Sequence, residues 1–492
     1  MATVAEAYEA AIAHHQSGCL DEAAILYRRI LDADPDQAHA SHLLGVVAAQ
    51  QNRIAEAITL ISAAVARDGR NPTFLSNLGA ALKAAGRYDE AISHLVRTLE
   101  LDPAAADALA NLGAALAAEG RFDDAVRWLK RAVALAPARF EACLNLGVAL
   151  RDRGRFDEAL AAFESARSLR PDDPHLACET AVLHLADGDL ARGWALYENR
   201  WRFVGHTPSV LGRPQWLGED IRGKSILVYF EQGLGDTLQF VRYVPMLAER
   251  GARVTLVVQP SLKRLVASVR GLSSLITFDD PIPPTDLCSP LMSLPHAFGT
   301  RLDSIPAGGA YLAPDPDLVA QWAQRLGPRR LPRVGLVWSG APRRHDPKSY
   351  AFDRRRSLPF SAMAPLLDVP GIEFVSLQMG DAADQARAAV AAGRLADPMA
   401  AVTDFADTAA IAANLDLVVS VDTSALHAAA AIGRPVWGLS RFDGCWRWLR
   451  DRDDSPWYPT LRLYRQEQPG AWEPVLARIA QDLQSGRFVR SA

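Results

Sequence analysis

Along residues 5–201 the apolar positions fall in paired helical stretches, and the whole pattern repeats every 34 residues. Leu82, Leu116 and Leu150 are in step, as are Ala23, Ala57, Ala91, Ala125 and Ala159, with Gly193 in the next slot. The string Asn-Leu-Gly returns as Asn77-Leu78-Gly79, Asn111-Leu112-Gly113 and Asn145-Leu146-Gly147, and Leu43-Leu44-Gly45 stands one period earlier. Gly18, Asn52, Gly86, Gly120, Gly154 and Gly188 form a further series, placed where the first helix of each pair ends and a positive φ is cheap. Pro35, Pro103, Pro137 and Pro171, with Gly69 in the missing slot, stop the second helix. Small residues let antiparallel helices approach, and the leucines fill the shared core. A 34-residue period predicts a helix–turn–helix solenoid of about six units between Ala5 and Trp201, less regular at its two ends.

After Trp201 the pattern changes. Residues 202–222 are broken by Pro and Gly and read as a linker. Short apolar runs then alternate with helical stretches. Ser225–Phe230, Arg253–Val258, Arg333–Trp338, Glu373–Leu377, Leu415–Val421 and Pro435–Leu439 read as strands, Thr237–Arg250 as a helix and 341–353 as a flexible loop. This alternation predicts parallel sheets wrapped by helices, and the length fits two, over 223–330 and 331–492, facing a cleft. Ligands in such sheets bind beyond the C-terminal strand ends.

The totals narrow the function. A chain of 492 residues is too long for one core. A net charge of −4, from 53 basic and 57 acidic residues, gives no field for nucleic acid or an anionic membrane. Cys19, Cys143, Cys178, Cys288 and Cys445 are scattered, with no metal-ligand or disulfide spacing. Asp32-Ala33-Asp34 and Asp315-Pro316-Asp317 lie in turns, not after strands, and no metal or cofactor is expected. No apolar run is long enough to span a membrane, and the start lacks a signal-peptide pattern, so the expectation is a cytoplasmic protein.

Candidate chemistry gathers at strand ends. Gly233-Leu234-Gly235-Asp236 follows one strand and opens a helix, where the glycines admit a ligand to the backbone. Asp236 is either a general base or a helix cap. Asp422-Thr423-Ser424, with His427 one turn on, closes another strand. It reads as a diphosphate site at a helix N-terminus, or as an ordinary capped helix with a core histidine. Ser339 and Gly340 end a third strand. Arg354-Arg355-Arg356 follow the loop and offer positive charge to a leaving diphosphate, or are solvated. Trp446, Arg447, Trp448, Arg450 and the run 454–459 are dense in aromatics, suited to stacking on a ligand or to packing. In the repeats, Asn77, Asn111 and Asn145 form either an amide ladder for an extended peptide or bonds between neighbouring turns.

The repeat pattern resembles the tetratricopeptide repeat. The strings EQGLGDTLQFVRYVPML, RVGLVWSG, RRRSLP, VSLQ, DTSALHAAAAIGRPVW and WRWLRDRDDSPWYPTLRLYRQ resemble bacterial tetratricopeptide-repeat proteins carrying a glycosyltransferase domain. That domain is similar to the heptosyltransferase (GT9-like) family, of GT-B fold. The string from Gly188 to Trp201 is similar to that family's repeat-to-enzyme junction. The resemblance implies an inverting, metal-independent sugar transfer from a nucleotide-sugar. It implies Asp236 as general base, and Asp422, Thr423, Ser424 and His427 as holders of the donor phosphates. Gly233, Gly235, Ser339, Gly340 and Arg356 join them on the donor side, with Gln378 at the nucleotide. The acceptor is expected to be a protein hydroxyl held by the repeats, with flagellin-like or other surface proteins suggested by the resemblance. Two alternatives stand beside this: a repeat scaffold with an inactive second half, and a heptosyltransferase acting on lipopolysaccharide or another glycan.

Overall fold

In the computed structural model, residues 4–203, 212–486 and 488 are described. Part of the expected 202–222 linker, residues 204–211, lies outside them.

The first half is six helical hairpins. Their first helices are α1 (Val4–Gln16), α3 (Ala38–Gln50), α5 (Pro72–Ala84), α7 (Ala106–Ala118), α9 (Phe140–Asp152) and α11 (Pro174–Asp187). Their second helices are α2 (Leu20–Ala33), α4 (Ile54–Arg67), α6 (Tyr88–Leu101), α8 (Phe122–Leu135), α10 (Phe156–Leu169) and α12 (Leu190–Tyr197). The expected turn series is left-handed throughout, from Gly18 at φ 81° to Gly188 at 87°, and Asn52 at 59° substitutes for glycine. Close packing explains the Asn-Leu-Gly glycine. A Cβ on Gly113 would stand 2.4 Å from Cγ of Leu129, so α7 and α8 meet where no side chain intervenes.

By packing, the chain forms two compact units. One comprises the residues up to Pro171 together with Arg343–Phe352; the other is Asp172–Pro342 with the residues from Asp353 onward. The division therefore falls at 171/172, although the helical pattern runs on to Tyr197. The cause is the apolar face of α11 and α12. Leu185, Leu190 and Trp194 are buried in one core with Trp216, Phe240, Tyr243 and Trp446. The Trp194 ring centroid lies 5.7 Å from Phe240 and 5.2 Å from Trp446. Residues 341–353, expected as a flexible loop, contain instead the start of a helix, Pro347–Arg356. Ala351 on it is buried with Tyr88 and Ala115 of the repeats.

The second unit holds two all-parallel sheets. The first has strands β1 (Ser225–Tyr229), β2 (Arg253–Val257), β3 (Leu272–Ile276) and β4 (Leu287–Pro290) in the order β3-β2-β1-β4. The second has β5 (Arg333–Val337), β6 (Glu373–Ser376), β7 (Leu417–Val421), β8 (Val436–Ser440) and β9 (Leu461–Arg465) in the order β6-β5-β7-β8-β9. The expected helix 237–250 is broken into Leu234–Phe240, a 3-10 turn Val241–Tyr243 and Val244–Glu249, with Pro245 opening the last. In each sheet the strand order reverses once, beside β1 in the first and beside β5 in the second. Ligands of open parallel sheets bind at that reversal.

Candidate functional site

Both reversal points carry loops singled out from the sequence. The chain leaves β1 through Phe230–Gly233 and enters the helix Leu234–Phe240. Glu231 anchors this loop from below. Its carboxylate accepts from Arg200 Nε at 2.7 Å and from the other guanidinium arm at 2.8 Å. Arg200 also donates to Glu198 and to Ser293 Oγ, both at 2.7 Å. Gln232 donates to the Tyr197 hydroxyl at 2.8 Å. Gly233 and Gly235 thus ride on a buried ionic cluster supplied by the end of α12 and the turn after it.

Asp236 is engaged at both oxygens. One accepts the Gly233 N–H at 2.9 Å, which caps the helix. The other is ion-paired with Arg447. The capping role weighed from sequence is therefore real, and the carboxylate also has a cationic partner.

In the second sheet, β5 runs into Trp338-Ser339-Gly340 and β7 into Asp422-Thr423-Ser424. Gln378 is buried and clasps the first of these. Its Oε1 accepts from the N–H groups of Trp338 and Ser339 at 3.0 and 2.8 Å, and its Nε2 donates to the Ser339 carbonyl at 2.9 Å. Its amide shapes the strand end. A Cβ on Gly340 would stand 2.6 Å from a terminal nitrogen of Arg356. Arg356 in turn donates to the Asp422 carbonyl at 3.0 Å and pairs with Asp353 at 2.7 Å. Arg355 pairs with Asp443, and Arg354 is exposed. Arg356 is thus tied to both loops.

Thr423 is the N-cap of the helix Ser424–Ala431, yet its side chain makes no capping bond, and its hydroxyl lies 3.3 Å from Ser420 Oγ. The amides of the helix's first turn thus lack a capping side chain at a strand end suited to an anion. His427 is buried one turn in. Its Nδ1 lies 2.8 Å from the Tyr458 hydroxyl, and its ring stacks on Trp448 at 5.5 Å. Its Nε2 is 3.8 Å from Asp422 Oδ1, beyond hydrogen-bond reach. Burial pulls the imidazole down to about 3, against the attraction of Asp422 and with the help of Arg447, so the ring is neutral at pH 7. Burial opposes the Asp422 carboxylate, but the surrounding charges, Arg447, Arg356 and Arg441 among them, outweigh it and hold its pKa below the usual value. Arg242, also buried, lies over the Tyr311 and Tyr458 rings at 4.4 and 4.6 Å and donates to the Tyr311 hydroxyl.

The helices Leu234–Phe240 and Ser424–Ala431 pack together, with Gly235 directly on His427. The structure thus brings Gly233, Gly235 and Asp236 to the Asp422, Thr423, Ser424 and His427 end of the second sheet. Ser339, Gly340, Arg356 and Gln378 form the adjoining strand end. Asn77, Asn111 and Asn145 lie in the first unit. There Asn77 Nδ2 is 2.8 Å from His42 Nε2, and Lys83 donates to Asn111 Oδ1 at 2.7 Å. Among the described residues no cluster of His, Cys, Asp or Glu could hold a metal ion. Asp315 of the second D-x-D string caps its own helix through Asp317 and Leu318 N–H. Among the described residues no helix is long and apolar enough to cross a membrane.

Sequence reading missed Arg200, Glu231, Arg242 and Tyr458 as partners of the site. The junction string and the aromatic-rich stretch contain two of them, and Arg447 besides. Only the fold reveals what they touch.

Known proteins match the two kinds of part separately. Residues 5–72, 72–138 and 116–183 match the tetratricopeptide repeat, and residues 359–441 match glycosyltransferase family 9 (heptosyltransferase). Protein FlbA of Caulobacter vibrioides is 29% identical over 335 residues, covering 61% of this chain and 53% of that protein. The chain thus spans about half the length of the curated relative it matches. Among solved structures, the MamA protein is 24% identical over 34% of this chain and 92% of its own, with a TM-score of 0.31. Pseudomonas aeruginosa pilF is 20% identical over 41% and 91%, with a TM-score of 0.35. A thermophilic tetratricopeptide-repeat protein of Thermus thermophilus is 25% identical over 37% and 100%, with a TM-score of 0.33. By class, the molecule is a helical-repeat solenoid followed by an α/β part with two parallel sheets. More narrowly, it combines tetratricopeptide repeats with a domain similar to the family 9 glycosyltransferases.

Proposed function

We propose that the chain transfers a sugar from a nucleotide-sugar to a hydroxyl of an acceptor protein recruited by the repeats. The observation that carries this reading is the meeting of the two reversal-point loops, Gly233–Asp236 of the first sheet and Asp422–His427 of the second. One supplies a carboxylate; the other supplies an uncapped helix N-terminus for a diphosphate. Asp236 takes the proton of the acceptor hydroxyl as its oxygen attacks the anomeric carbon from the face opposite the nucleotide, inverting that centre. The amides at Thr423 and Ser424, with Arg356, receive the negative charge of the departing diphosphate, and no metal is needed. Neutral His427 fixes the helix against Tyr458 and Trp448. The repeats raise the local concentration of acceptor, and the amides of Asn77, Asn111 and Asn145 hold its backbone. A flagellin-like or other surface protein is the acceptor that the sequence resemblance suggests.

A thermal-shift panel of nucleotide-sugars identifies the donor, and mass spectrometry of acceptor proteins incubated with it reads the transfer. Asp236→Asn is expected to lower transfer by about 10²–10⁴-fold, to a small residual rate, while the donor-induced shift persists. Undiminished transfer by that variant would remove Asp236 as base, and no shift with any nucleotide-sugar would favour a scaffold.

A further inference from the structure

Arg447 lies beyond the segment that matches family 9, and from the sequence it was only one member of an aromatic-rich stretch. In the structure every nitrogen of its guanidinium has a partner. One arm pairs with Asp236 Oδ1, Nε donates to Gln239 Oε1 at 2.8 Å, and the other arm lies 3.4 Å from Cys445 Sγ. The plane sits over the Trp446 ring, 4.2 Å from its centroid. The side chain is 12% exposed and that of Asp236 19%, so water screens the pair poorly. Arg447 thus joins the helix of the first sheet, through Asp236 and Gln239, to the segment after β8 of the second. Two oxygens of one carboxylate are held from two directions, by Gly233 N–H and by this guanidinium.

We infer that Arg447 is a positioning residue for the transfer, acting through Asp236; this rests on the reading of Asp236 as the base. At rest Arg447 and Asp236 form a neutral pair that holds the carboxylate in one rotamer, facing the acceptor as an acceptor of hydrogen bonds. In the transfer the acceptor's O–H proton passes to Asp236 and its oxygen bonds to the anomeric carbon. The bond from that carbon to the phosphate oxygen breaks, and its electron pair leaves with the nucleoside diphosphate. Protonation of Asp236 removes the negative half of the pair. The guanidinium is then an uncompensated buried cation, produced at the moment the leaving group gains negative charge. Arg447 is already among the charges felt by Asp422 and His427 at the donor end, so its charge acts there. The pair thereby couples proton removal to departure of the diphosphate, and its effect belongs to the transition state.

The test is a double-mutant cycle on the full chain with the donor found above. Arg447→Met is expected to lower kcat about 100-fold with the donor KM within about threefold. Arg447→Lys, which keeps the charge without the planar fork, should recover about tenfold of that loss. In the Asp236→Asn background, Arg447→Met should cost less than about tenfold of the residual rate, because the base it positions is gone and only the charge of the guanidinium at the donor end remains to be lost. A loss of equal size in both backgrounds would make Arg447 a structural residue, as would a wild-type rate for Arg447→Met in the parent. Should Arg447→Met fail to fold, Arg447→Gln and Arg447→Lys carry the same comparison. If Asp236→Asn itself transfers at the wild-type rate, the base assignment fails, and that outcome is distinct from a flat cycle.

Discussion

Gly235 and His427 touch across the two sheets of the second unit: a Cβ on Gly235 would stand 2.9 Å from Cδ2 of the imidazole. His427 has little room to retreat, since Tyr458 holds Nδ1 and Trp448 covers the ring. Gly235→Ala must therefore separate the helices Leu234–Phe240 and Ser424–Ala431. Overpacking of this kind costs about 1–3 kcal/mol. The expected outcome is a lower thermal midpoint together with a loss of transfer larger than the loss of donor binding. Equal activity in Gly235→Ala and wild type would mean that the two loops need not meet.

The buried histidine makes stability depend on acid. His427 has a folded pKa of about 3 against an ordinary 6.5, so the unfolded chain binds its proton first as pH falls. Stability from this group is complete above pH 6.5 and declines through the window down to about 3, by about 1.4 kcal/mol per pH unit. His42 in the repeats is lowered to about 4 by burial and by His39 and His15, and acts in the same direction. His427→Gln should flatten the fall of the thermal midpoint between pH 7 and pH 5. An unchanged slope would place the acid sensitivity elsewhere.

The repeats were readable because each hairpin is a local unit. Starts at Leu20, Ile54, Tyr88, Phe122, Phe156 and Leu190 follow one period. The longer apolar runs announced β1, β2 and β5–β8. β3 carries two serines and is half-exposed, β4 is four residues ending in Pro290, and β9 is five residues of which two are arginines, so none resembles a buried run. The strand-end loops of the site were visible as local motifs. Their supports were not: Arg447 and Asp236 stand 211 residues apart, and Arg200 and Ser293 stand 93 apart. Such pairings exist only once the chain has folded, and a lone arginine in a sequence does not reveal its carboxylate. The division at 171/172 was hidden for a related reason, because the Trp194 face of α12 keeps the helical pattern while packing on another core.

Arg200 supplies a measurable share of that core. It is buried against Glu231 and Glu198, and removing it leaves two carboxylates without their cation. Arg200→Met is expected to cost about 3–5 kcal/mol, read as a lower urea midpoint for the second unit. Adding Glu231→Gln should return part of the loss, since one of the stranded charges is then gone. If the double variant is as unstable as the sum of the two single ones, Arg200 contributes by packing on Trp201 and Tyr197 instead.

Within the first unit, the segment Arg343–Phe352 gives a prediction of its own. Pro347 fits against Gly86, where a Cβ would meet the proline Cβ at 2.7 Å, and Ala351 is buried with Tyr88 and Ala115. Burial, with Lys348 nearby, lowers the pKa of Lys83, whose Nζ donates to Asn111. The segment therefore covers the part of the repeats that includes Asn111, one rung of the proposed ladder. Ala351→Asp places a carboxylate among apolar side chains and costs several kcal/mol unless the segment moves away. The hairpins keep their own cores, Leu95 and Leu129 among them, so the expected response is release of the segment and not unfolding of the repeats. Hydrogen exchange should quicken in 343–352 and around Tyr88 while α3, α4, α9 and α10 stay protected, and Lys83 should react faster with an amine-labelling reagent. Exchange that quickens evenly through all the hairpins would show instead that the segment is an integral part of the repeat fold.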